Sequence, residues 1–301
     1  MATALEPAPA ALAGGRRLYL KREDEHELGA FKWRGALPVL EGYKAAGAST
    51  VVTASTGNHG AATAWAAARL GLETVVFVPE RASATKVARI EELGAEIRPA
   101  GADMDEAKAL GLAEARRRGV PFFEDGAEPA QYEGYTVIGE EILAQLEEPP
   151  AAVIVPVGNG ALLGGVARAV LAGSPETLRI GVVAAAAPVM ADSFDAGRPV
   201  TGDSSGTFAD GMAVRVAIPY AVDVLNEVAT HMVRVSEREL AEAVGAFAAA
   251  GIRVEGSGAA GFAALPHVPD LNGSIVLVVT GRNIDEDLHE QARNQPQAFP
   301  A

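Results

Sequence analysis

Short valine- and isoleucine-rich runs recur along the chain at 50–53, 73–78, 96–98, 152–157, 179–184, 231–235 and 274–280, and each predicts a β-strand. Between them apolar residues return at helical spacing, and several helix ends are spelled out. Ser236-Glu-Arg-Glu239 is a capping box that starts a helix running to Ala250 and stopped by Gly251, and Asp103 with Glu106 makes a similar start. Strands that alternate with helices in this way require mainly parallel sheets covered by helices on both faces. The predicted class is α/β. Pro149-Pro150 is the one linker-like break, and no repeat at solenoid spacing is present. Residues 1–15 predict a flexible Ala/Pro-rich leader, and residues 291–301 a loose tail.

At 301 residues, 49% of them hydrophobic, the chain can bury a core large enough for two domains. It has no cysteine, which removes disulfides, thiolate nucleophiles and Cys-ligated zinc, and fits a cytoplasmic location. The five histidines, His26, His59, His231, His267 and His289, show no paired metal-ligand spacing, so no metal site is expected. A formal charge of −14 argues against nucleic acid or an anionic membrane surface as partner. The basic run Arg116-Arg-Arg118 fits the last turn of a helix, where cations face its negative end. No apolar run reaches membrane-spanning length.

Three ordered segments carry the candidate chemistry. In Gly29-Ala-Phe-Lys-Trp-Arg-Gly-Ala36 the amine of Lys32 stands between two aromatics after a small-residue turn, where desolvation makes an amine nucleophilic. Thr53-Ala-Ser-Thr-Gly-Asn-His59 passes from a strand into a helix. So does Val155-Pro-Val-Gly-Asn-Gly-Ala-Leu162, whose backbone N–H groups and positive helix end suit a phosphate dianion. It lacks the Gly-Lys-Ser/Thr of a Walker loop and the spacing of a dinucleotide fingerprint. Each segment alone has a plainer reading: a solvated surface lysine, an N-cap, a tight turn at a strand end. A phosphate anchor together with a distant desolvated lysine suggests pyridoxal phosphate, held as an imine on the lysine.

The chain resembles the threonine and serine dehydratase branch of the fold-type II pyridoxal-phosphate enzymes over about residues 17–285. Lys21-Arg-Glu-Asp24 with Gly29 to Ala36 is similar to the branch's cofactor-lysine signature, and Thr207-Phe-Ala-Asp-Gly-Met-Ala-Val214 and Glu255-Gly-Ser-Gly-Ala-Ala260 to two further segments. The resemblance implies two domains, each a mainly parallel twisted sheet flanked by helices, with the active site in the cleft between them. Residues 1–46 and 132–301 would form a large cofactor-binding domain, and 47–131 a small substrate-closing domain. It also implies a homodimer acting on a small amino acid.

By position, the resemblance makes Lys32 the cofactor lysine, with Phe31 packing beside the ring and Asn58 bonding the ring hydroxyl. Gly158, Asn159, Gly160, Ala161 and Leu162 would bind the phosphate, Glu255 would lie against the cofactor, and Thr280 would face the pyridine nitrogen. Ser55, Thr56, Gly57 and His59 would surround the substrate carboxylate, with Thr56 also bearing on catalysis at the second face of the substrate. Three departures stand out: Asn159 and Ala161 interrupt a loop that is usually all glycine, Thr56 replaces an alanine or serine, and Arg282 replaces a glycine beside the ring. The implied reaction is dehydration and deamination of L-threonine or L-serine. Alternatives are racemisation, β-elimination from a diamino or hydroxy-dicarboxylic acid, and non-catalytic amino-acid sensing.

Overall fold

The computed structural model describes residues 2–202 and 206–301; Met1 of the expected leader lies outside them. The strands are β1 (Leu5–Pro7), β2 (Leu18–Arg22), β3 (Thr50–Ala54), β4 (Glu73–Val78), β5 (Glu96–Pro99), β6 (Ala152–Pro156), β7 (Leu178–Ala184), β8 (His231–Val235) and β9 (Ile275–Val279). The helices are α1 (Ala10–Ala13), α2 (Trp33–Ala45), α3 (Asn58–Leu70), α4 (Ala84–Glu92), α5 (Met104–Arg118), α6 (Pro129–Gln145), α7 (Ala161–Gly173), α8 (Val189–Ala196), α9 (Pro219–Val228), α10 (Glu237–Ala249), α11 (Gly256–Ala263) and α12 (Glu286–Asn294). Each strand expected from the hydrophobic pattern is present. Both helix starts read from caps also hold: Ser236 and Glu239 close a reciprocal capping box, and Asp103 accepts the Glu106 N–H at 2.9 Å.

The chain divides into two compact units, Met1–Phe31 with Tyr135–Ala301, and Lys32–Gly134. Helix α2 therefore falls in the smaller unit. The reason is aromatic packing: Trp33 of α2 meets Trp65 of α3 edge to face, with centroids 6.0 Å apart.

The larger unit holds a six-stranded sheet in the order β1-β2-β9-β6-β7-β8, parallel except for β1. Its central strands β6 and β9 are buried throughout, as a sheet covered on both faces requires. The pairing Ala152↔Ile275 and Ile154↔Leu277 brings the carboxyl ends of β6 and β9 to one edge. Strand β2 escaped the hydrophobic pattern because its buried Lys21 looks like a surface residue. Lys21 is 0% exposed, and its ammonium is held by Glu141 at 2.5 Å and the Thr3 carbonyl at 2.8 Å.

Two expectations about the chain ends are overturned in this unit. The leader contributes β1, registered Leu5↔Lys21, and buries Leu12 of α1. The tail carries the end of α12 and buries Phe299, whose ring lies 4.7 Å from that of Phe208. A few apolar residues spaced among polar ones anchor both ends, a signal too sparse for periodicity to register.

The smaller unit holds the parallel sheet β3-β4-β5. A short extended piece at Phe122 bridges Val52 in parallel, with the Phe123 N–H on the Val52 carbonyl at 2.8 Å. This carries Glu124 and Asp125 to the carboxyl end of β3. Among the described residues no helix is long and apolar enough to cross a membrane.

Candidate active site

In the larger unit, the turn after β6 runs through Val157, Gly158 and Asn159 into Gly160, the N-cap of α7. Gly160 has φ +95°, which L side chains rarely adopt, and a Cβ there would also press on Met190 at 3.0 Å. A Cβ on Gly158 would collide with the Gly211 carbonyl, so the segment 207–214 packs directly on this turn. No described non-glycine residue has positive φ, so Asn159 and Ala161 replace glycines without strain. The Asn159 side-chain oxygen Oδ1 accepts the Ala161 N–H at 3.1 Å, which engages one donor of the turn.

At the end of β9, Thr280 is 2% exposed, and its hydroxyl is buried without a hydrogen-bond partner. The turn that follows is fastened by Glu255, the N-cap residue of α11. Its carboxylate accepts from Ser257 Oγ at 2.7 Å and from the Asn283 N–H at 3.1 Å, and its own N–H donates to the Gly281 carbonyl at 3.0 Å. Residues 28–31 are strapped to the same turn. The Phe31 N–H donates to the Thr280 carbonyl at 3.1 Å, the Arg282 N–H to Gly29 at 2.9 Å, and Asn283 Nδ2 to the Leu28 carbonyl at 2.8 Å. The Phe31 ring lies 5.1 Å from that of Tyr135, and the Arg282 side chain is exposed.

In the smaller unit, Ser55, Thr56 and Gly57 form the turn from β3 into α3, with Gly57 as N-cap and its N–H on Ser55 Oγ at 3.1 Å. Asn58 opens the helix, half-buried. His59 is buried against Thr53 of β3. Its ring is 6% exposed, with Nε2 3.0 Å from Thr53 Oγ1 and 3.3 Å from the Phe123 carbonyl. Thr53 already donates its own proton to Phe123 at 2.8 Å, so the network assigns the Nε2–H of His59 as donor to Thr53.

Lys32 sits at the N-cap position of α2, and its ammonium donates to Asp125 Oδ2. The other oxygen of Asp125 accepts from Gln131 Nε2 at 2.6 Å and lies 3.6 Å from His59 Nδ1. Burial alone would raise the Asp125 carboxyl, but the Lys32 ammonium and the Gln131 bond hold it well below the usual carboxylate range. Burial pushes the His59 ring below the ordinary imidazole value, against the pull of Asp125. Asp125 is not among the residues expected from the sequence. Its signal was the short apolar run 120–123 ending in Glu124-Asp-Gly126, the same strand-then-turn form as the other segments, disguised by Pro121.

The comparisons with known proteins agree on one family. The pyridoxal-phosphate dependent enzyme family matches residues 2–281. The chain belongs to that family. It is 36% identical over 275 residues to the L-threonine ammonia-lyase of Geobacter sulfurreducens, covering 90% of this chain and 68% of that one. Among solved structures, the processed threonine deaminase isoform 2 of Solanum lycopersicum superposes with a TM-score of 0.90 at 29% identity, over 96% of this chain and 86% of the other. Maize serine racemase gives 0.89 at 25% identity, over 98% and 92%.

The family's cofactor, pyridoxal phosphate, fits these residues. A buried hydroxyl without a protein partner at Thr280 is the environment a ring nitrogen would satisfy. The strain-free turn at 158–162 presents backbone N–H groups at the positive end of α7, suited to a phosphate.

Proposed function

We propose that the chain is a pyridoxal-phosphate-dependent lyase that converts L-threonine or L-serine to a 2-oxo acid and ammonia. Bound cofactor supplies an aldehyde for the amino group and a ring that draws electrons from Cα. Lys32 would hold the cofactor through its amine and, as a free amine, would take the α-proton as a base. The 158–162 turn anchors the phosphate, Asn58 meets the ring hydroxyl, and Phe31 packs beside the ring. Ser55, Thr56 and Gly57 receive the substrate carboxylate at the start of α3, with His59 fixing the turn from behind. Glu255 keeps the 280–283 turn in place. Loss of the α-proton and the β-hydroxyl as water leaves an enamine, which water hydrolyses to the 2-oxo acid and ammonia.

The observation that carries elimination is the unpartnered Thr280 hydroxyl. A neutral hydroxyl does not hold a proton on a pyridine nitrogen as a carboxylate would, so charge on Cα is best discharged through the β-substituent. The printed activities of the ammonia-lyase and deaminase relatives support the same reading. The test is product analysis with L-threonine, L-serine and D-serine: 2-oxo acid and ammonia are expected from an L-substrate, and inversion alone would refute the reading.

A second reading, racemisation, is supported by the likeness to maize serine racemase and by the hydroxyl of Thr56 in the carboxylate turn. We further propose a cytoplasmic homodimer, on the resemblance to the dehydratase branch. Light scattering of the purified protein decides the assembly.

A further inference from the structure

We propose that Asp125 is a positioning residue for Lys32, whose carboxylate holds the Nζ atom in place and sets a fixed negative charge beside it. The inference rests on Lys32 being the cofactor lysine. Both carboxylate oxygens are committed: Oδ2 takes the Lys32 ammonium, and Oδ1 takes Gln131 Nε2 at 2.6 Å. Gln131 is itself oriented by the Gly126 N–H, which donates to its Oε1 at 2.7 Å, so the acceptor is braced from the backbone. Tyr132 adds a second brace through its hydroxyl on the Gly126 carbonyl at 2.9 Å. A carboxylate held this firmly acts as a fixed charge and not as a mobile surface partner.

His59 Nδ1, from α3, lies 3.6 Å from Asp125 Oδ1, and its burial favours the neutral ring. Glu124, the chain neighbour of Asp125, is engaged by Lys108 at 2.5 Å.

The pair also gives Lys32 a defined place when it is not bonded to the cofactor. A lysine has a flexible stem, and a freed amine would otherwise sample many rotamers. Returned to one geometry, it stands ready to act as a base and to recapture the aldehyde.

The experiment uses protein loaded with pyridoxal phosphate. Borohydride reduction and peptide mass mapping identify the lysine that carries the cofactor, and visible absorbance against pH gives the midpoint at which the lysine-bound form loses its proton. Label on Lys32 is expected in the parent and in Asp125→Asn, with the midpoint in Asp125→Asn lower by about one pH unit or more. Asp125→Glu, which keeps the charge, should fall between the two. Asp125→Ser takes the place of Asn should that variant fail to fold, as judged by circular dichroism. Label on another lysine overturns the cofactor-lysine reading and this inference with it. Label on Lys32 with an unmoved midpoint in the uncharged variant, or with Glu shifted as far as Asn, overturns the role of Asp125 alone.

Discussion

The N–H of Phe31 donates to the carbonyl of Thr280 at 3.1 Å, which ties the residue before the lysine to the residue at the end of β9. Thr280 thus has its carbonyl committed and its hydroxyl not. The backbone bond fixes where Lys32 starts. The side chain remains for chemistry.

Lys32→Ala should purify without the visible absorbance of lysine-bound cofactor and without lyase activity, because only a primary amine links the aldehyde covalently. An unchanged spectrum would refute the assignment.

Thr280→Asp should place a carboxylate at the pyridine nitrogen and hold a proton there, making the ring a stronger electron sink. Slower elimination is expected, with a new long-wavelength absorbance and more side reactions. Stopped-flow spectra of the variant with L-threonine check this, and parent kinetics with no new band would contradict it.

Gly160→Ala introduces a Cβ at φ +95° beside Met190 and Leu225, a strain of roughly 1–3 kcal/mol. Denaturant unfolding measures the cost, and a cofactor titration should show weaker binding because the turn at α7 must shift. Equal stability and affinity would mean the turn is not needed in this form.

Folding makes His59 harder to protonate than in the unfolded chain, where its value is near 6.5. The contribution is therefore fully present above that pH and is lost as pH falls towards the depressed folded value. Asp125 has the same sign lower down: its stabilisation is present above the unfolded carboxyl value near 3.9 and is lost on strong acidification. The melting temperature of the parent should fall as pH drops below about 6.5, and His59→Gln should flatten that decline. Parallel profiles for the two proteins would exclude His59 as the cause.

Activity should be insensitive to chelator. After β7 ends at Ala184 the chain continues Ala185-Ala-Ala187, which offers no carboxylate where racemase-type members of the resembling branch bind a divalent ion, and hard cations need several oxygen ligands. Loss of activity in EDTA that magnesium restores would show a site elsewhere.

Much of this protein was determined locally. Valine-rich runs, capping boxes and glycine stops act within a few residues, so the strands β3 to β9, the helix starts at Asp103 and Ser236, and the α/β class follow from the sequence alone. The same holds for the strand-turn-helix form at 53–59 and 155–162, and for an amine singled out between Phe31 and Trp33. Tertiary structure decided what depends on partners far along the chain. Lys21 is buried in β2 only because Glu141 answers its charge, and Phe299 is anchored only because Phe208 lies beneath it. Asp125 reaches Lys32 only because the segment at Phe122 adds to the edge of β3, a pairing between residues some seventy apart. No local pattern encodes such a meeting, since it arises from sheet register and burial, which exist only once the chain has folded.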